Sequence, residues 1–552
     1  MKKYSILSTL FAATLLVGCE QELADLKPPV TTTPTGSIGT NINVSNFVTI
    51  GNSLVAGYQA SALFNEGQDE SLGKIINTQF AFAGGTSEFN QPTINSVNGF
   101  SGLAGSIPLG RLILFDPDGP GPRGAGPAAS GTPARSVTCP SVVETPAVPA
   151  PYNSGDPITP FTGDKGKLNN FGVPGIQVGQ LLIAATGGPA TSNPAYNPFY
   201  ARFATNPSVN GTTGSTILSD VIARNPTFFL LEIGNNDILG YATGGASNPA
   251  IFTSLADFTT RYNGVIATLL GNLPNAKGVI GNIPDITSIP FFSTVRWNAV
   301  PLDAATAASL NSGFAGLNQV LSTIQGNAGL MANFGLTSND LERRKVNYVA
   351  GTSNPVLIND ETLTNLGPVL DFLAANSLIT SQQRTALAPY QQSRPATATD
   401  LLVLSAGGVI GTCVGGNAQA INGLSIPLGD NLVLIPSEIA EIQQRTNEFN
   451  GVILAAANNS NNRLAHADLN TEFKTFVQNK GATVNGILLT PTITPPYAGF
   501  SEDGVHPNGR GYAFLANIFI RAINAKFSST IPEADITKYR GTRTPVSPQK
   551  SF

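Results

Sequence analysis

What most limits how this chain can fold is a set of short apolar runs rich in β-branched and aromatic residues. They fall at residues 47–50, 227–233, 278–282, 401–404 and 464–467. Each suits a strand buried on both faces, the kind that parallel sheets are built from. Between them, residues 255–270, 302–324 and 436–457 carry apolar side chains at helical spacing. In the last of these, Ser437 is the expected N-cap, with Glu438 and Glu441 near the start. Strands alternating with helices specify a layered α/β domain.

Two stretches interrupt that pattern. Residues 95–167 are rich in Gly, Pro, Ala and Ser, and residues 326–425 mix helical pieces with polar, loop-like segments. Both read as insertions into one α/β core rather than as separate domains. In the first, FDPDGPGPRG sets Asp116 and Asp118 before a glycine, loosely like a calcium loop. Too few oxygen ligands accompany them, so a solvated turn is the expectation. The net charge is −4 and no Lys/Arg block occurs, which argues against nucleic acid as a partner.

At the amino end, Lys2 and Lys3 precede an apolar run over residues 4–17 that ends in Gly18 and Cys19. The run is short for a membrane-spanning helix and has the charge-then-apolar order of a secretory signal. LVGC, residues 16–19, resembles the lipobox of bacterial lipoproteins. The resemblance implies loss of residues 1–18 and lipidation of Cys19, whose acyl chains would hold the protein at a membrane surface. With the neutral, loop-rich composition, it points to the outer membrane of a Gram-negative bacterium. Residues 19–45 then read as a polar, Pro/Thr/Gly-rich tether, residues 46–530 as the folded domain and residues 531–552 as a polar tail. Cys139 and Cys413 remain as an even pair in an oxidising compartment, where a disulfide is permitted and two separate thiols are the alternative. His466 and His506 are the sole imidazoles, so a zinc site is poorly supported and no metal is expected.

Four segments carry candidate chemistry. In FVTIGNSLVAGY, residues 47–58, Ser53 follows an apolar run and stands between two glycines. In SEDGVHPNGRGYAFLANIF, residues 501–519, Asp503 and His506 lie three apart on a turn that leads into a helix from about Gly509. That spacing can set a carboxylate beside an imidazole and leave the other ring nitrogen for a nucleophile. In LLEIGNNDILGY, residues 230–241, a strand ends in Gly234, Asn235, Asn236 and Asp237, where an Asn amide could donate to an oxyanion. In NNFGVPGIQVGQLL, residues 169–182, Gly175 opens an apolar, helix-like segment and allows close approach of its N–H. Taken singly, each also reads as ordinary turn or cap chemistry.

Together and in this order, the four segments resemble the SGNH (GDSL-type) hydrolase family, over most of residues 46–525. The resemblance implies a three-layer α/β/α fold with a mainly parallel sheet and a serine esterase or lipase activity without metal or organic cofactor. It matches Ser53 to the nucleophile and Asp503 and His506 to the other triad members. Ser53, Gly175 and Asn236 match the oxyanion donors, with Gly172 as the fallback for Gly175. The family's usual Asp before the serine is Asn52 here. The Gly-x-Ser-x-Gly elbow of α/β-hydrolases is absent, since residue 55 is Val. His466 is expected to be a core or sheet-end histidine satisfied by a neighbour, and Asp285 a turn residue. The expected substrate is a lipid ester or acylated carbohydrate and the expected state a monomer. The competing reading is a non-catalytic surface lipoprotein that binds glycan or lipid in the same cleft.

Overall fold

The computed structural model describes residues 35–115, 148–151, 154–415 and 417–544. Strand β1, Phe47–Gly51, is buried at every position, because its apolar and small side chains can be covered on both faces. It runs through Asn52 into a single helical turn, α1, Ser53–Ala56, and then into α2, Leu72–Phe82. Next come β2, Asn170–Gly172, and β3, Phe228–Glu232. Helices α3, Asn236–Thr243, and α4, Leu255–Asn272, precede β4, Lys277–Gly281. Then follow α5, Ala304–Gln325, α6, Pro436–Asn458, β5, Leu464–Ala467, α7, Leu469–Gln478, and α8, Gly509–Phe527.

The five strands form one parallel sheet in the order β5-β4-β3-β1-β2. Helices α2 and α8 pack together, with α8 also against β4 and β5, while α4 and α6 form the other helical layer. The fold is therefore the expected three-layer α/β/α arrangement. Its strand order reverses at β1, which lies between β2 and β3. In open α/β sheets, ligands collect in the crevice outside the carboxyl ends of the strands at such a reversal.

Helix α4 illustrates how sequence builds a layer. Ser254 accepts the Asp257 N–H as its cap, and Phe258, Tyr262, Val265, Ile266 and Leu269 form one buried stripe. Phe258 stacks on Phe449 of α6 at 3.7 Å between centroids. Helix α6 begins differently from expectation: Pro436 is its first residue and the Glu438 carboxylate accepts the Ile435 N–H at 2.8 Å. Ser437 is thus inside the helix and is not its cap. A proline at the first helical position needs no N–H partner, and the acid three residues past Ile435 supplies the acceptor.

Four sequence boundaries are corrected. The run at 401–404 is not a strand of the central sheet; Leu401–Leu402 pairs antiparallel with Val433–Leu434 in a separate two-stranded ribbon. Helix α5 packs on the short helices Ala328–Asn333 and Ser338–Arg343, so the second insertion starts before residue 326 and extends to about residue 434. Residues 35–44 are not tether: Ile42 and Val44 are buried and the Asn41 amide donates to the Phe527 carbonyl at 2.9 Å. The tail likewise packs on the body as far as Arg543, which pairs with Glu66 at 3.3 Å, with Ile531, Ala534 and Ile536 buried and Arg540 3.0 Å from Glu70. The first insertion supplies a hairpin, Gly102–Ala104 with Ile107–Leu109, and a second antiparallel pair, Leu112–Phe115 with Val148–Pro151. Residues 1–34, including Cys19, lie outside the described residues, as do Asp116, Asp118 and Cys139. No described helix is long and apolar enough to cross a membrane.

One hydrophobic core runs through both the sheet layers and the second insertion. Inside that insertion, the Arg394 guanidinium meets Asp360 at 2.5 Å and Asp400 at 2.7 Å, all three buried. Burial opposes the Arg394 charge, but the two carboxylates outweigh it and hold the group ionised. Removing one partner from such a set strands the others without compensation. Arg394→Met should therefore lower the unfolding free energy by about 3–5 kcal/mol in urea titration; an unchanged midpoint would show that the trio does not hold the insertion.

Candidate active site

Ser53 is the first residue after the β1-to-α1 bend. Asn52 caps the turn, its side-chain oxygen accepting the Leu54 N–H at 2.9 Å. That leaves the Ser53 N–H without a hydrogen-bond partner among the described residues, as expected for the first amide of a helix. His506 Nε2 stands 2.8 Å from Ser53 Oγ, and His506 Nδ1 stands 2.9 Å from Asp503 Oδ2. The two residues three apart on the turn and the serine more than four hundred residues away thus form one unbroken relay.

Asp503 is held from several sides. Its Oδ1 accepts the N–H groups of Val505 and His506 at 2.9 and 2.8 Å, and Oδ2 accepts the Ser61 N–H at 2.7 Å. Burial opposes ionisation of Asp503, but His506 and these N–H donors outweigh it and keep the carboxyl below its usual range. An ionised carboxylate on Nδ1 fixes the imidazole tautomer that leaves Nε2 free to accept a proton. Tyr58 packs its ring 4.9 Å from that of His506, and the Tyr512 hydroxyl donates to the Tyr58 carbonyl at 2.7 Å. No motif or spacing singles out Tyr58, Tyr512 or Ser61, although Tyr58 lies only five residues after Ser53.

The other donors follow from the sheet. Gly51 is paired with Gly172 of β2 and with Glu232 of β3. Ser53, Gly175 and Asn236 come two, three and four residues after those level positions, so they lie off the same ends of three adjacent strands. The Asn236 amide donates to the Ile176 carbonyl at 2.9 Å, which spends one of its two hydrogens. Asp237 accepts the Val178 N–H at 3.0 Å and the Thr253 hydroxyl at 3.1 Å. These bonds fasten the loop after β2 to the loop after β3. Burial pushes the Asp237 carboxyl up to about 6, against bonds from Val178 and Thr253 and the charge of Arg261.

Between the two glycines the geometry separates cleanly. Gly172 donates its N–H to the Asn170 side chain at 2.8 Å, and a Cβ there would come 2.3 Å from the Ala56 nitrogen. It is a packing residue and has no free donor. Gly175 has φ +77°, is exposed, and its N–H has no partner among the described residues. The segment it opens is a 3-10 turn at Val178–Leu182 rather than an α-helix.

Beneath Ser53 lies Glu232, fully buried, with Oε1 accepting from the Asn235 amide at 2.8 Å. The Asn52 amide faces the same carboxyl and favours its charged form, though neither Asn52 Nδ2 nor Glu232 Oε2 makes a well-formed hydrogen bond among the described residues. Burial raises Glu232 to about 7, partly offset by Asn235 and Asn52. Asn at position 52 is thus the residue that can cap α1 and still turn a donor toward this acid. An Asp there would present a second negative charge.

The remaining candidates lie elsewhere. His466 sits in β5 level with Ile280, half-buried, and its Nε2 has no partner among the described residues, so the expected neighbour is missing. Burial lowers its pKa, partly offset by Asp468. Asp285 caps the turn Ile286–Ser288 by accepting the Thr287 N–H at 3.0 Å. Cys413 is disulfide-bonded, and Cys139 lies outside the described residues. Glu361, Asp430 and Glu438 each bring a carboxylate oxygen within 4.8 Å of the others. Burial, and then the charges of Glu361 and Asp430, push Glu438 up to about 8, so it holds a proton at neutral pH. That proton relieves the repulsion among the three.

The buried acid makes a signed prediction. Below about pH 7 Glu232 is protonated, so the carboxylate of Asn52→Asp would face a neutral acid; above it, two charges would face each other. The stability lost by Asn52→Asp should be larger at pH 8 than at pH 5.5, and adding Glu232→Gln should suppress the difference. Equal losses at both pH values would show that the two side chains are not coupled.

Comparison of the chain with protein-family models, with curated proteins and with solved structures finds no match, so the chemistry of this site is read from its own residues.

Proposed function

We propose that the protein is a serine esterase that cleaves carboxylic esters through an acyl-enzyme, the activity its resemblance to SGNH hydrolases implies. The observation that carries this reading is the relay from buried Asp503 through His506 to Ser53, with 2.9 and 2.8 Å between successive heteroatoms. A binding cleft has no need of a carboxylate, an imidazole and a hydroxyl in line. A hydroxyl nucleophile needs all three.

In the proposed reaction His506 Nε2 takes the Ser53 proton as Oγ attacks the ester carbonyl, and Asp503 stabilises the imidazolium that forms. The tetrahedral oxyanion is met by the Ser53 and Gly175 N–H groups and by the second hydrogen of the Asn236 amide. Fixed donors of this kind act where charge develops and need no reorganisation. His506 then protonates the leaving alcohol and activates water to release the acid. Cys19 carries lipid in the proposed mature protein, which acts at the outer membrane as a monomer.

The test is hydrolysis of nitrophenyl esters by protein lacking residues 1–19. Ser53→Ala should abolish turnover. Asn236→Ala should lower kcat by roughly 10²–10³, and Asp503→Asn by about 10⁴ with little change in KM. Undiminished hydrolysis by Ser53→Ala would place any activity elsewhere and defeat the assignment.

A further inference from the structure

An apolar cavity of about 90 Å³ lies between α7, α8 and the segment that carries His506. Its rim includes Leu54, the residue after Ser53, and Val505 and Pro507, the residues on either side of His506. Phe473 of α7 and Phe514 and Leu515 of α8 also wall it, and every side chain in the wall is apolar. The volume would admit several waters at roughly 10–15 Å³ each, but such a lining offers them too few hydrogen bonds to be held. Space of this kind favours hydrocarbon.

We propose that this cavity binds the acyl chain of the substrate, which makes the ester a medium- or long-chain acyl ester; the proposal rests on the esterase reading above. Two features favour the acyl chain over the alcohol. The leaving alcohol must depart and be replaced by water before the acyl-enzyme can hydrolyse, whereas the acyl group stays on Ser53 through both steps. A pocket walled by two helices and rimmed by Leu54 suits the group that stays. Also, the oxyanion donors come from the loops after β2 and β3, while Pro284 and Leu469 in the cavity wall follow β4 and β5. In the strand order β5-β4-β3-β1-β2 the cavity thus lies toward β4 and β5, away from Gly175 after β2.

The test compares kcat/KM for nitrophenyl octanoate, nitrophenyl acetate and octyl acetate, in the wild type, in Leu515→Trp, which fills the cavity, and in Phe473→Ala, which enlarges it. A methylene in an apolar pocket discriminates by roughly 10–200-fold. Leu515→Trp should lower the octanoate-to-acetate ratio at least about tenfold, and Phe473→Ala should move the optimum to longer acyl chains. An unchanged ratio in both variants, with Ser53 still labelled by a small phosphonate, overturns the cavity assignment and leaves the esterase reading standing. Loss confined to octyl acetate overturns it in favour of the alcohol. If Ser53 is never labelled and no ester is cleaved, the esterase reading falls. Calorimetry of dodecanoate binding then decides the cavity: binding to Ser53→Ala that Leu515→Trp abolishes supports it. Absent or unaffected binding refutes it.

Discussion

The ionised carboxylate of Asp503 is the interaction on which the site depends. It is buried, so its charge has to be met by donors, and those donors come from both ends of the chain. Val505 and His506 supply theirs from the same turn, while Ser61 reaches it from the segment after α1. Ala60 and Ser61 hold φ of 49° and 57°, an unfavourable backbone region for residues with a Cβ, and the Ala60 N–H donates to Ser501 Oγ at 2.9 Å. Strain of this kind persists where surrounding bonds over-determine it. One carboxylate thus brings the turn bearing His506 against the segment bearing Ser53.

The sheet supplies the rest of the alignment. Because β2, β1 and β3 are neighbours in register, three loops emerge side by side, and short bonds tie them together. Asn236 holds Ile176, Asp237 holds Val178, and Asn52 and Asn235 bracket Glu232 below. The Gly-Asn-Asn-Asp segment therefore does more than offer one amide: each of its three polar side chains faces a different neighbour. Such shared support is why effects of changes within the segment should not add.

How much of this the sequence discloses depends on whether the signal is local. Strands β1, β3, β4 and β5 show as apolar runs because each is buried on both faces. Strand β2 is only Asn170–Gly172, and its place in the sheet is set by what it packs on, so it reads as a turn. The apolar run at 401–404 reports burial correctly but cannot say which strand it pairs with. Helix α5 presents an apolar stripe that reads alike whether a sheet or another helix covers it. The Asp503–His506 pair is legible because both lie on one short turn. Ser61, Tyr58 and Glu232 act through contacts that no spacing reveals, and the packing of residues 35–44 is hidden by their polar composition.

The central claim is that Ser53 is a nucleophile activated by His506, and the intact mass of the protein after exposure to a fluorophosphonate tests it most directly. A single phosphonyl adduct that maps to Ser53 and is lost in both Ser53→Ala and His506→Ala is the predicted result. No adduct on the wild type, or an adduct that survives Ser53→Ala, would contradict it.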